Sequence, residues 1–228
     1  MKLILDTADL NEIRYFNTYY PIAGVTTNPS ILAREGGDVL ALLRAIREEI
    51  GAEKELHVQV VETEYARMVE EAKAIAAFLG AHTYVKIPAT DQGLRAVMTL
   101  SGQGYGVTVT AVLSAAQALL ASNAGAAYVA PYVSRLENLC ESGIDMVADI
   151  AAVFASAGSR TEILSASFKT AREVLDAALA GSHAATIAPE VMRRLLAHPA
   201  TDTSIAGFSS DWAGAFGRVT LLELLSRR

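Results

Sequence analysis

The chain has 228 residues, 52% of them hydrophobic and 19% charged, with a formal net charge of −6. That is enough apolar material for one large core, and α/β barrels of this length occur as single domains. The acidic balance and the lack of a basic run exclude an obvious nucleic-acid surface; a phosphorylated small molecule stays open, because an arginine and a helix N-terminus can hold an anion on an acidic protein. The single cysteine, Cys140, allows no internal disulfide, which suits a reducing cytoplasm, and its neighbours Leu139, Glu141 and Ser142 do not mark it as reactive. Met1-Lys2 leads straight into a strand without a signal-peptide pattern, and charges interrupt the alanine-rich segments well short of a membrane span.

Lys2 to Thr7 predicts a first strand, and Asp9 can cap a helix from Leu10 to Asn17. Gly24 to Asn28 reads as a second strand that turns at Asn28-Pro29-Ser30 into a helical segment, and Val39 to Ile50 is an amphipathic helix. Leu56 to Val61 is a third strand, followed by a helix from Glu64 to Leu79 that Gly80 closes. Thr83 to Pro88 is the fourth strand, with a helix from Leu94 to Leu100 behind it. Tyr105 to Val112 and Ala127 to Val133 are the fifth and sixth strands, the helix Ala115 to Ala121 lying between them after its cap Ser114. Ile144 to Phe154 is helical, Glu162 to Ser167 is the seventh strand, and Ala171 to Leu179 is its helix. Ala184 to Ala188 is the eighth strand, and Pro189 opens the next helix at a position where proline is tolerated. Beyond His198-Pro199, Phe208, Trp212 and Phe216 recur every four residues on one helical face, which either packs on its own barrel or docks on a neighbouring subunit.

Eight short apolar strands alternating with helices are the pattern of βα units in a parallel sheet. Their number and the chain length predict a single-domain (β/α)8 TIM barrel over residues 1–228, with residues 203–228 as a C-terminal helical extension. Periodicity does not show closure, so an open doubly wound sheet is the alternative.

Lys86 sits inside the apolar fourth strand, where lysine is rare unless it has a partner or a task. A buried lysine loses solvation and favours its neutral form, which is the nucleophile that Schiff-base chemistry needs. The competing account is an edge-strand lysine that reaches solvent. Catalysis in parallel barrels sits at the C-terminal strand ends. There the sequence offers Asp6, Asn28, Gln59, Lys86, Thr110, Tyr132 and Ser167, one from each of the first seven strands. Each alone is unremarkable; their matching positions favour a common site.

The histidines (His57, His82, His183, His198) lack metal-ligand spacing, so a metal-dependent aldolase lacks its ligands. Gly102 to Gly106 precedes a strand instead of joining strand to helix, so it is a turn and not a dinucleotide loop. The polar set suits imine chemistry, with an amine, a carboxylate and a phenol for proton transfer, and amides and hydroxyls to hold a polyol. Arg135, Ser167 and Lys169, before a helix N-terminus, would hold a phosphate.

Leu5-Asp6-Thr7, Gly24 to Ser30, Val85 to Pro88, Ala130 to Arg135, Ala166 to Lys169 and Asp211 to Gly217 together resemble the transaldolase family, most closely its short bacterial branch, the fructose-6-phosphate aldolases. The resemblance implies a cofactor-free, metal-free barrel in the cytoplasm, acting on ketose and aldose phosphates, with no nucleic-acid or membrane partner. Lys86 would attack the ketose C2 carbonyl, with Asp6 assisting proton transfer. Thr26 and Asn28 would bind the donor unit, and Arg135, Ser167 and Lys169 the phosphate. Lys169 stands where longer relatives often carry arginine, and lysine lacks its bidentate fork. Transaldolases typically carry glutamate on strand three and phenylalanine on strand six; Gln59 and Tyr132 follow the aldolase pattern, with Thr110 completing the catalytic set. His57, where phenylalanine is common, shares a strand face with Gln59 and is expected to retune the donor pocket. The resemblance also implies pentamer rings, stacked into decamers, through the C-terminal helix. The expected function is therefore a class I aldolase of fructose 6-phosphate. A transaldolase is the alternative, and a non-catalytic sugar-phosphate-binding barrel is a more remote one.

Overall fold

The computed structural model describes residues 1–137 and 142–227, so Cys140 lies outside the described residues. Contacts within the chain separate a first unit, Met1–Met192, from a second that begins at Arg193. The first unit opens with β1 (Lys2–Asp6), α1 (Leu10–Tyr19), β2 (Ile22–Thr26), α2 (Pro29–Glu35), α3 (Val39–Ile50), β3 (Glu55–Gln59) and α4 (Tyr65–Leu79). It continues through β4 (Thr83–Pro88), α5 (Asp91–Gly102), β5 (Gly106–Val112), α6 (Ala115–Asn123), β6 (Tyr128–Pro131) and α7 (Val133–Glu137). It ends with α8 (Gly143–Ala157), β7 (Glu162–Ser165), α9 (Ala171–Leu179), β8 (Ala184–Ile187) and the start of α10 (Pro189–Leu196).

Every strand pairs in parallel with its successor, and β8 pairs with β1, Lys2 opposite Ala184 and Leu5 opposite Ile187. The ring is closed, so the fold is a (β/α)8 barrel and not an open sheet. Alternation along each strand divides the side chains between the helix layer and the interior. Leu5, Leu56, Val58, Val85 and Ile87 are buried toward the helices, while Lys2, Ile4 and Asp6 of β1, and Glu55, His57 and Gln59 of β3, take the inner face.

The helices begin where short polar side chains satisfy their first N–H groups. Asp9 accepts from Asn11 N and Glu12 N, Asn28 from Ile31 N, Thr90 from Gly93 N and Ser114 from Gln117 N. Two strands end earlier than their apolar runs suggest. β6 stops at Pro131 and the chain enters the short helix α7 at Val133; β7 stops at Ser165. Beyond both ends the pairing survives as one bridge, Tyr132 to Ala166. Ser167, at φ 66°, then turns the chain out of the strand direction. No helix among the described residues is long and apolar enough to cross a membrane.

In the second unit α11 (Pro199–Phe216) and α12 (Leu221–Leu225) follow α10. His198 caps α11 through Nδ1, and Pro199 occupies its first turn. Trp212 stacks near Phe216 with ring centres 4.6 Å apart and donates from Nε1 to Val219 O at 2.7 Å. Phe208, on the same face, is exposed.

Gly24 marks a place where β2 and β3 leave no room for a side chain. A Cβ there would stand 2.1 Å from the Glu55 carbonyl oxygen, a backbone atom that cannot swing away. Gly24→Ala is expected to cost roughly 2 kcal/mol or more, measured by urea denaturation. An unchanged midpoint would mean that the two strands part at little cost.

Candidate active site

The barrel interior holds two polar systems. At the N-terminal end, Lys2 Nζ donates to Glu55 Oε1 at 3.0 Å, to Glu162 Oε2 at 2.8 Å and to the Tyr128 hydroxyl at 2.5 Å. Tyr128 donates onward to Glu55 Oε1 at 3.0 Å. Burial opposes charge at Lys2, but three acceptors hold its amine well above the ordinary lysine range. Burial likewise opposes charge at Glu55, but hydrogen bonds from His57 and Lys2 and the neighbouring charge hold its carboxyl down at about 2. Ile4, Leu164 and Ala184 pack with Tyr128 as an apolar layer.

His57 belongs to this floor. It is wholly buried, stacked on Tyr84 with ring centres 4.8 Å apart and edge-on to Tyr128. Its Nε2 lies 3.2 Å from Glu55 Oε2 and its Nδ1 2.9 Å from Thr108 Oγ1. Burial pushes His57 below the usual histidine range, against the hydrogen bond and charge of Glu55. A carboxylate only accepts, so the neutral ring carries its proton on Nε2, and Nδ1 accepts from the Thr108 hydroxyl. Both ring nitrogens are engaged below Gln59; the structure gives His57 a role in the floor network in place of a free polar edge toward a donor.

The second system lies at the C-terminal end. Lys86 is 6% exposed and its Nζ donates to the Thr27 carbonyl at 2.9 Å. Burial pushes its amine below the ordinary lysine range, and the charge of Asp6 pulls the other way without reversing the shift. The snorkelling alternative fails here, because the amine ends among protein atoms. Asp6 ends β1, with Thr26 opposite it on β2 donating to Oδ1 at 2.6 Å. Gln59, half-buried, is the register partner of Lys86 across β3 and β4. Asn28 spends its side-chain oxygen capping α2 through Ile31 N at 2.9 Å, so its amide nitrogen is the donor it can offer a ligand.

Thr110 and Tyr132 meet through their hydroxyls at 3.0 Å. A bulge makes this pair. Between Val109 and Val112, β5 advances three residues while β6 advances two, from Val129 to Pro131. The extra residue, Ala111, stands at φ 57°, a region L-residues seldom adopt.

The proposed anion residues come from two turns that bond to each other. Val133 N donates to Ala166 O at 2.9 Å and Ser134 N to Ser167 O at 3.1 Å. Arg135 is exposed, with its guanidinium 4.8 Å from the centre of the Tyr132 ring. Ser167 is half-buried and Lys169 exposed. Lys169 N and Thr170 N both donate to Glu173 Oε2, so a capping box takes up the N–H groups that enter α9. The N–H groups at that helix terminus are therefore already satisfied. Sequence reasoning missed the Thr27 carbonyl, because a backbone acceptor has no residue signature. It also missed the floor cluster, for which the charged residues at three strand starts, Lys2, Glu55 and Glu162, were the available signal.

Residues 3–219 match the family model described as Transaldolase/Fructose-6-phosphate aldolase. The chain belongs to that family. It is 41% identical over 219 residues to a probable transaldolase of Symbiobacterium thermophilum, covering 96% of this chain and 100% of the relative. It is 43% identical to probable transaldolases of Bacillus cereus and Moorella thermoacetica, in each case over 93% of this chain and 97% of the relative. The chain is accordingly an enzyme of the transaldolase and aldolase family.

The floor makes a pH prediction. The folded Glu55 carboxyl lies below its ordinary value of 4.5, so its contribution is present above that pH and is lost as pH falls toward about 2. Glu55→Gln should lower stability at neutral pH and flatten the acid limb in this window, read from urea midpoints against pH. A variant curve that runs parallel to the wild type would assign the acid limb to other groups.

Proposed function

We propose that the chain breaks and forms a carbon–carbon bond of ketose phosphates through an imine on Lys86, with dihydroxyacetone as the bound unit. The observation that carries this is the Lys86 amine itself. It is enclosed, held by a neutral carbonyl, and shifted toward the uncharged nucleophile by burial. In the reaction the amine adds to the C2 carbonyl and water leaves, giving a protonated imine. The C3–C4 bond then breaks: its electrons flow into the iminium, the C4 hydroxyl gives up its proton to a base, and an aldose phosphate departs. Protonation at C3 and addition of water release dihydroxyacetone and restore the amine. Asp6, beside Thr26, and Tyr132, beside Thr110, are the groups proposed to move these protons. Asn28 would hold the donor hydroxyls, and Arg135, Ser167 and Lys169 the phosphate. A reducing cytoplasm is the compartment that such substrates imply.

Two fates of the adduct divide the family. Gln59 and the Tyr132–Thr110 pair favour release by water, because an amide can orient water and a phenol can exchange its proton. On these residues we infer a fructose-6-phosphate aldolase. The names of the relatives, probable transaldolases, weigh the other way, toward transfer to an aldose acceptor, and make a transaldolase the second reading. We also propose that the Phe208, Trp212 and Phe216 face of α11 joins copies of the chain into a ring-shaped homo-oligomer; sedimentation of a monomer at micromolar concentration would overturn this.

Fructose 6-phosphate incubated with and without erythrose 4-phosphate separates the two fates. An aldolase releases glyceraldehyde 3-phosphate and free dihydroxyacetone without the acceptor; a transaldolase needs it. Borohydride should trap the donor on Lys86 in either case, and a barrel that only binds sugars would trap nothing. For the aldolase, Tyr132→Phe should slow acceptor-free release about 100-fold, with a smaller effect on transfer. Equal loss of both would remove the phenol from the hydrolytic step.

A further inference from the structure

The eighth strand offers no polar residue in the strand-end pattern, yet the structure brings one to the site. Thr186 is 4% exposed, one residue before the end of β8, and its Oγ1 lies 2.5 Å from Thr26 Oγ1. Thr26 in turn donates to Asp6 Oδ1 at 2.6 Å. Strand order explains the meeting. β1 lies between β8 and β2, with Ile4 opposite Thr186 on one side and Asp6 opposite Thr26 on the other.

Proton counting gives the contact a direction. A hydroxyl has one proton and two lone pairs. Thr26 gives its proton to the Asp6 carboxylate, so Thr186 is the donor in the Thr186–Thr26 contact. The result is a one-way chain, from Thr186 to Thr26 to Asp6, across three adjacent strands. A hydroxyl that accepts a hydrogen bond is polarised into a better donor, and donation to a carboxylate is the stronger kind. Thr186 also fixes the Thr26 rotor, since rotation of Thr26 would break both bonds.

We propose that Thr186 is a positioning residue for the imine reaction, acting through Thr26 to hold the Asp6 carboxylate toward Lys86. Its catalytic consequence rests on the function proposed above; its effect on Asp6 does not. Asp6 matters to Lys86 directly, since its charge opposes the burial that favours the neutral amine. The other ionisable groups of this interior are those of the floor, Lys2, Glu55, Tyr84, Tyr128, Glu162 and His57, the last kept neutral by burial, and the Tyr132 phenol bonded to Thr110. None of them lies on the Thr186 chain. A merely structural threonine, filling space on β8, would do none of this, and valine of similar shape would replace it.

Thr186→Val removes the hydroxyl and Thr186→Ser keeps it. The test reads the pH dependence of Lys86 carbamylation by cyanate, followed by peptide mass spectrometry, which needs no turnover. Only the neutral amine reacts, so the midpoint reports the proton affinity of Lys86. Asp6→Asn sets the full effect of losing the carboxylate, a shift of the midpoint to lower pH. Thr186→Val is expected to shift it part of the way in the same direction, and Thr186→Ser to return it to the wild-type value. In turnover, Thr186→Val should lower kcat about 10-fold with KM within twofold, and Thr186→Ser should restore it. If Thr186→Val does not fold, Thr186→Ala is read in the same way. A wild-type carbamylation midpoint in the hydroxyl-free variant, or a shift that serine does not reverse, overturns the proposal. Absence of donor trapping in the wild type would overturn the imine reading while leaving a carbamylation shift intact.

Discussion

Holding an amine away from water inside a closed barrel is the constraint on which the upper half of the structure depends. At Lys86 the enclosing protein supplies one neutral carbonyl, Thr27, and the charge of one carboxylate, Asp6. The balance shifts the amine toward its uncharged form, because burial costs the ammonium more than a single carboxylate returns. That balance depends on the placement of Asp6, whose Oδ1 accepts from the Thr26 hydroxyl.

Lys2 shows what the same side chain does under opposite conditions. Both lysines lie on the inner face of a barrel strand. Lys2 meets two carboxylates and a phenol at the rim and is held firmly charged; Lys86 is enclosed and pushed toward neutrality. The floor keeps its charges to itself. His57 stays neutral, with Nε2 turned to Glu55 and Nδ1 to Thr108, and Ile4, Leu164 and Ala184 pack as an apolar layer. The charged network lies at one end of the barrel and the proposed chemistry at the other, as the strand-end rule for this architecture anticipates.

Among the described residues three that are not glycine stand at positive φ: His82, just before β4, and two on the side of the proposed chemistry. Ala111 and Ser167 both occupy the left-handed region without being glycine, each adjoining or forming part of the proposed constellation. Such residues cost on the order of 1 kcal/mol each and persist only where their surroundings over-determine them. The β5–β6 bulge fixes Ala111 and sets Thr110 against Tyr132, and the bond from Ser134 N helps fix Ser167.

The eight βα units, the inward faces of their strands and the residue types at the upper rim were legible in the chain alone, because alternation and the strand-end rule are local properties. Lys86, Asp6, Gln59, Thr110 and Tyr132 could be picked out in that way. Closure could not, since it depends on β8 meeting β1 across the whole length of the chain. The early ends of β6 and β7 were hidden because an apolar run continues through a bridge and a turn. The Thr27 carbonyl, the floor around Lys2, the engagement of both His57 nitrogens and the Thr186 chain were decided by tertiary structure alone. Each joins residues from separate strands through distance and direction, and a linear sequence records neither.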